Sequence, residues 1–313
     1  MESKIIESLK SKGITDTSVK SYFNNLRRLN NGEEIKNLNF LKDVEGVLEK
    51  IKPFKSNTQR NYIIAVVTLL KEEPKFKKLY DEYFKIMMKF NKEKAVNNEK
   101  SETQKENWIS QNEVEQVFTQ LAQSVESFAN NKKWTDSQFI QYLHYLVLSL
   151  YVLMPPRRNK DYQYCLVVNK LPEKMNKDFN YLDLKTFFFH FNNFKTAGTY
   201  STQSFNIPPE AEQIIKTWLA HHPKKAELKR KAGMIFLLVD ETGLPFENIN
   251  SITRILNKIF KKRIGCSLLR NIYLTDKYGK NLDDLKMDAE QMGTSSSTIE
   301  NQYVKLDEKV VSS

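Results

Sequence analysis

The chain has 313 residues, 40% of them hydrophobic and 28% charged, with a formal net charge of +11. That length can bury one large core or two ordinary ones, and the positive balance points to a polyanionic partner, nucleic acid first. Only Cys165 and Cys266 are present, far apart, which excludes a disulfide framework and a cysteine-built zinc site and fits a reducing interior compartment. The amino-terminal stretch MESKIIESLKSKGIT interleaves charged and apolar residues, unlike a secretory signal. The longest apolar window, residues 142–154, contains His144 and Ser149. It falls short of the roughly 18 apolar residues of a membrane span, so it reads as a buried helix and no membrane partner is expected.

In chain order, Val19, Tyr22, Phe23, Leu26 and Leu29 recur at helical spacing, with Gly32 behind them as a stop. A second helix is predicted over residues 41–51, before Pro53. Ser56 and Gln59 have the pattern of a capping box ahead of the apolar run Ile63, Ile64, Val66, Val67, Leu69 and Leu70. A last helix covers residues 76–90, which makes an all-helical unit. The next stretch, NKEKAVNNEKSETQKEN at residues 91–107, is polar and almost free of apolar side chains. It reads as a linker, its first half also compatible with a solvated helix end, which draws the boundaries at 1–92, 93–108 and 109–313.

The second part opens on another capping-box pattern, Ser110 with Glu113, and Val114, Val117, Phe118 and Leu121 mark one face of the following helix. A long helix over residues 135–153 is stopped by Pro155 and Pro156. The texture then changes. Residues 164–168, 182–191 and 200–207 are rich in aromatic and β-branched side chains and read as short strands. The last two flank KTAGT, a hairpin turn carrying Gly198. Ile214, Ile215, Trp218 and Leu219 then share a helix face, residues 234–239 read as a short buried strand or helix, and helical patterning continues towards the end. The fold class expected is mainly α with a small antiparallel sheet.

Four local signals carry chemistry, and each also has a purely structural reading. MPPRRNKDY places Arg158 after a helix end, with Asp161 one helical turn on and able to brace it; a solvated basic patch would look the same. NNFKTAGTY sets Lys195 at the hairpin tip, where lysine is also common for solubility alone. CSLLRNIYLTD sets Arg270 within an apolar helical face with Leu268, Leu269, Ile272 and Leu274, a position that demands an anionic partner from protein or ligand. MGTSSSTIENQY runs from a Gly-Thr-Ser turn to Tyr303, one of 14 tyrosines.

Taken in order, these signals resemble the tyrosine recombinase (phage integrase-like) family. That family's order is an arginine with an acid three residues later, a hairpin lysine, His-x-x-Arg, Gly-His or Gly-Trp, and a tyrosine. Here the order is Arg158 with Asp161, Lys195, Ser267-x-x-Arg270, Gly293-Thr294 and Tyr303, and Tyr303 follows Thr294 by the nine residues usual in the family. The Pro-Pro-Arg-Arg and Lys-Thr-Ala-Gly wording is similar to divergent recombinases of eukaryotic mobile elements and large DNA viruses. Two positions depart from the pattern: Ser267 and Thr294 each offer a hydroxyl to a phosphate oxygen where the family has an imidazole or indole.

The resemblance implies a two-domain, C-shaped clamp. A helical core-binding (SAM-like) domain over 1–92 and a catalytic domain over 109–313 would grip double-stranded DNA, four protomers joining in a synaptic complex. It implies site-specific cleavage and rejoining through a 3′-phosphotyrosyl link, at whatever intracellular place the DNA lies. Tyr303 would be the nucleophile, and Arg158 and Arg270 would hold the non-bridging oxygens, supported by Ser267, Thr294 and Asp161. Lys195 would protonate the leaving 5′ oxygen. No metal and no nucleotide cofactor is called for. Type IB topoisomerases use the same arginine, lysine and tyrosine set, and the helical first part favours recombinase over them. The changes at Ser267 and Thr294 also leave room for a DNA-binding relative that has lost cleavage.

Overall fold

The computed structural model describes residues 1–71, 73–96, 100–230, 233–292 and 296. The chain divides into two compact units, residues 1–99 and 100–313.

The first unit is helical: α1 (Glu2–Ser11), α2 (Asp16–Leu29), α3 (Val44–Ile51), α4 (Ser56–Leu70) and α5 (Lys77–Val96). Thr15 caps α2 by accepting from the Ser18 N–H, and behind α2 the chain turns through Asn31 (φ 59°) and Gly32 (φ 81°). The Gly32 N–H donates back to the Arg27 carbonyl at 2.8 Å, which requires the left-handed backbone that glycine adopts without strain. The Ser56–Gln59 capping box does not form. Helix α4 begins at Ser56 with Lys55 as its cap residue, so the Gln59 amide instead donates to the Lys52 and Phe54 carbonyls and ties down the turn before the helix. At the other end of α4, Lys12 donates to the carbonyls of Thr68, Leu69 and Lys71, satisfying acceptors that have no helical partner. Ile63, Ala65, Val66 and Leu70 of α4 are sealed against Leu9, Leu26, Leu41 and Tyr83.

The second unit begins with α6 (Glu102–Asn107), α7 (Gln111–Ala129), α8 (Asp136–Val152) and α9 (Asn159–Gln163). The stretch read as a linker is therefore largely helical. Helix α5 runs through Val96, and α6 carries its own capping box, Ser101 with Gln104. The buried Asn107 accepts from the Arg263 N–H at 2.8 Å. The end of α5 matches the solvated helix end that the first half allowed, whereas α6 was hidden because a short capped helix lacks an apolar stripe. The predicted capping box of Ser110 with Glu113 forms, and Thr135 with Gln138 makes another at the start of α8. Helix α8 is apolar on nearly every side, with Leu146, Val147, Leu148 and Leu150 fully buried, so it becomes the central helix, packed against α7 and later helices.

Then come β1 (Cys165–Val168), β2 (Asn180–Asp183), β3 (Phe188–Phe191), α10 (Ala197–Tyr200), β4 (Gln203–Asn206), α11 (Pro209–His221), β5 (Met234–Phe236), α12 (Ser251–Phe260) and α13 (Cys266–Gln291). The five strands form one sheet in the order β4-β3-β2-β1-β5. It is mixed, not antiparallel as expected: β1 and β2 run parallel, from Cys165 opposite Asn180 to Val168 opposite Asp183. The segment between them folds back over the outer face, where Leu171, Met175 and Phe179 cover Leu166, Val168 and Tyr181, and this returns the chain to the same end of the sheet. The inner face, with Val167, Leu182, Phe189 and Phe191, joins the helical core. Strands β3 and β4 form the predicted hairpin, Phe188 opposite Asn206 through Phe191 opposite Gln203. Its tip is a wide loop holding α10 instead of a tight turn. Among the described residues no helix is long and apolar enough to cross a membrane.

Candidate active site

Helix α8 is halted by Pro155 and Pro156, which cannot continue its hydrogen bonding. The chain then turns and restarts as α9, with Arg158 at the cap position in extended conformation (φ −77°, ψ 150°). Two polar contacts hold this restart. Tyr151 donates from α8 to Asn159 Oδ1 at 2.8 Å, and Asn159 Nδ2 donates to Thr253 of α12 at 2.7 Å. Helix α13 approaches from the other side, anchored by Leu268, Leu269 and Ile272, which leaves Arg270 half-exposed. Leu274, read as part of the same apolar face, points to solvent at 47% exposure.

These elements enclose a pocket of about 220 Å³ lined by both prolines, Arg157, Arg158, Asp161, Phe194, Thr196, Gln203 and Arg270. Arg158 and Arg270, singled out from separate motifs, thus line the same pocket. Three guanidinium groups face one carboxylate there, so the pocket has an excess of forked donors suited to a phosphate or carboxylate. Lys195 is exposed, between the lining residues Phe194 and Thr196. Ser267 lies on the first turn of α13, exposed and outside the pocket lining. Gly293, Thr294 and Tyr303 lie outside the described residues.

One expected contact is corrected. Asp161 does not pair with Arg158; its Oδ2 takes a 3.0 Å ion pair from Arg157 Nε, four residues back. Both three- and four-residue offsets are neighbours on a helix, and Arg157 wins because it is the arginine turned inward. Its guanidinium lies 3.9 Å from the ring centre of Phe191 and within 5.5 Å of those of Phe194 and Phe205, and Nη1 donates to Gln203 at 3.2 Å. Such a stacked, hydrogen-bonded cation is already fully engaged, and Arg158 is left to face the pocket. Asp161 is 2% exposed. Burial pushes its carboxyl above the usual range, against the opposing pull of Arg157 and Arg158, and Oδ1 has no hydrogen-bond partner among the described residues.

Tyr151 and Tyr162, near the pocket, are poor nucleophiles. Burial pushes both phenols well up, and each hydroxyl is engaged, with Asn159 and with the Leu150 carbonyl respectively. Two features were missed in the sequence. The phenylalanine cage around Arg157 was hidden in strands read only as core. Asn180, one asparagine among many, carried no local signal.

No protein-family model and no curated protein matches the sequence. Among solved structures, the crystal structure of XerA recombinase is similar to this chain with a TM-score of 0.34 and 13% identity, the match covering 98% of this chain and 93% of that one.

Proposed function

We propose that the chain is a DNA strand-exchange enzyme of the tyrosine recombinase type. The observation that carries this reading is the convergence of Arg158 and Arg270, from distant parts of the sequence, on one pocket. A phosphodiester seated there has its non-bridging oxygens met by two forked cations. Preorganised charge of this kind is usually the largest catalytic contribution, because it stabilises the negative charge that grows on the phosphorane. The phenolic oxygen of Tyr303 forms the new bond to phosphorus, its proton passing to solvent, while the bond to the 5′ oxygen breaks and Lys195 gives that oxygen a proton. The 3′-phosphotyrosyl bond conserves the energy of the broken link until the 5′-hydroxyl of another strand attacks it. The chemistry runs without metal or nucleotide, and four protomers on two DNA sites would supply the two strands to be exchanged.

The test is covalent trapping. Purified protein is incubated without metal on nicked duplexes taken from the ends of its own genetic element, then resolved on a denaturing gel. The reading expects a protein–DNA adduct that Tyr303→Phe abolishes while DNA affinity is unchanged. Tight binding with no adduct would make the chain a DNA-binding relative, and relaxation of plasmids without sequence preference would make it a topoisomerase.

A further inference from the structure

We propose that Asn180 is the residue that positions Lys195, by hanging the lysine's loop from the start of β2 beside α9. The inference rests on the strand-exchange reading above and assigns Asn180 a role within it. Asn180 is fully buried, and its amide uses all of its hydrogen-bonding capacity. Nδ2 donates to the carbonyl oxygens of Asp161 at 2.7 Å and Asn193 at 3.1 Å, and Oδ1 accepts from the backbone N–H groups of Asn192 and Asn193, both at 2.8 Å. Two carbonyls on one side and two N–H groups on the other leave the amide a single satisfactory orientation. One side chain therefore joins α9, which carries Asp161, to the point where the chain leaves β3 towards Lys195.

The two joined parts differ in what else holds them. Helix α9 is secured independently by the Tyr151–Asn159–Thr253 chain, by the Arg157–Asp161 ion pair and by Gln163, whose amide donates to the Phe246 carbonyl at 2.6 Å. Besides Asn180 the loop is held by Phe194, buried in the core with its ring 5.3 Å from the Arg157 guanidinium, and by hydrogen bonds at its rim. Asn193 Nδ2 donates to the Asp178 carbonyl at 2.7 Å, Asn192 Nδ2 to the Phe179 carbonyl at 3.3 Å, and the Thr202 hydroxyl to Asn192 Oδ1 at 2.8 Å. Loss of the Asn180 amide therefore falls on the lysine side of the site and spares the arginine side. An aspartate of the same shape keeps the acceptors but turns a carboxylate oxygen towards two carbonyls, with nothing to donate.

That asymmetry has a chemical readout. Of the events at phosphorus, only protonation of the leaving oxygen depends on Lys195. If sulfur replaces the bridging 5′ oxygen, the P–S bond breaks to release a thiolate; thiols ionise near pH 8.5, so this group leaves with no proton donor. The experiment measures single-turnover adduct formation on ordinary and 5′-phosphorothiolate nicked duplexes. It compares the parent protein with Asn180→Asp, Thr202→Val, Lys195→Ala and Arg270→Ala, with folding checked by circular dichroism. We expect Asn180→Asp and Lys195→Ala to slow the ordinary substrate by roughly 10²-fold or more and to cleave the sulfur substrate at the parent's rate, while Arg270→Ala is slow on both. Thr202→Val, at the exposed rim, shows the same selective recovery in smaller measure and serves if Asn180→Asp does not fold. Equal slowing of the Asn180 and Thr202 variants on both substrates overturns this inference and leaves the strand-exchange reading standing. A parent protein that cleaves neither substrate overturns that reading, and this inference with it.

Discussion

Arg157 and Arg158 are adjacent in sequence and opposite in surroundings, the first locked between Asp161, Gln203 and three phenylalanine rings, the second lining the pocket. Removing Arg157 strands a buried carboxylate, a change that typically costs about 3–5 kcal/mol. Arg157→Met should therefore lower the urea midpoint markedly, and adding Asp161→Asn to it should recover much of the loss; a double variant no better than the single would contradict the pairing. Arg158→Ala should barely change that midpoint. On the strand-exchange reading it should instead raise the cleavage barrier by about 2–4 kcal/mol, read in single-turnover rates. The sequence announced the arginine pair and its acid but not which arginine the acid holds, because both spacings fit a helix turn and only the cage formed by β3 and β4 decides. His222 makes a second prediction. Burial lowers its pKa from the ordinary 6.5 to about 4, against the opposing pull of the Phe236 carbonyl. Between those values the unfolded chain takes up a proton that the folded chain refuses. Stability is therefore undiminished above about pH 6.5 and should fall by about 3 kcal/mol as pH drops towards 4. Urea melts across that range check this, and His222→Gln should flatten the slope.

At the scale of elements, the helices with strong apolar stripes were legible because periodicity reports burial directly. Helix α8 is the clearest, read from its apolar run and its terminal prolines, and the structure adds a capping box of Thr135 with Gln138. Thr135→Ala removes that cap and should cost about 1 kcal/mol, seen as a lowered thermal midpoint with no effect on cleavage. The sheet was legible only in part: residues 182–191, read as one strand, hold the end of β2, a turn through Phe187 (φ 52°) and β3, and the topology did not show. Four-residue strands carry no information about direction, and only the β3–β4 connection looked like a hairpin. The parallel β1–β2 pair depends on a covering segment whose apolar residues, Leu171, Met175 and Phe179, are too sparse to stand out. The Ser56–Gln59 pattern failed for a different reason: capping-box spacing occurs by chance, and the Lys52 and Phe54 carbonyls offered Gln59 a better use.

At the scale of the whole molecule, a helical first unit and a mixed second unit follow from where the apolar periodicities change along the chain. The site lies at the meeting of α9, α13 and the β3–β4 hairpin, and no local pattern marks that meeting; it was visible only as an order of motifs. With a net charge of +11, DNA binding should weaken steeply with added salt, through release of counterions from the phosphates. A binding titration at several salt concentrations would show a negative slope in log affinity against log salt, and a flat response would count against DNA as the partner. Strand exchange through Tyr303 is tested by digesting the trapped adduct and locating the modified residue by tandem mass spectrometry. One nucleotide-bearing peptide is expected, modified at Tyr303. Modification at another tyrosine, such as Tyr273 close to Arg270 on α13, or DNA held without any covalent link, would contradict it.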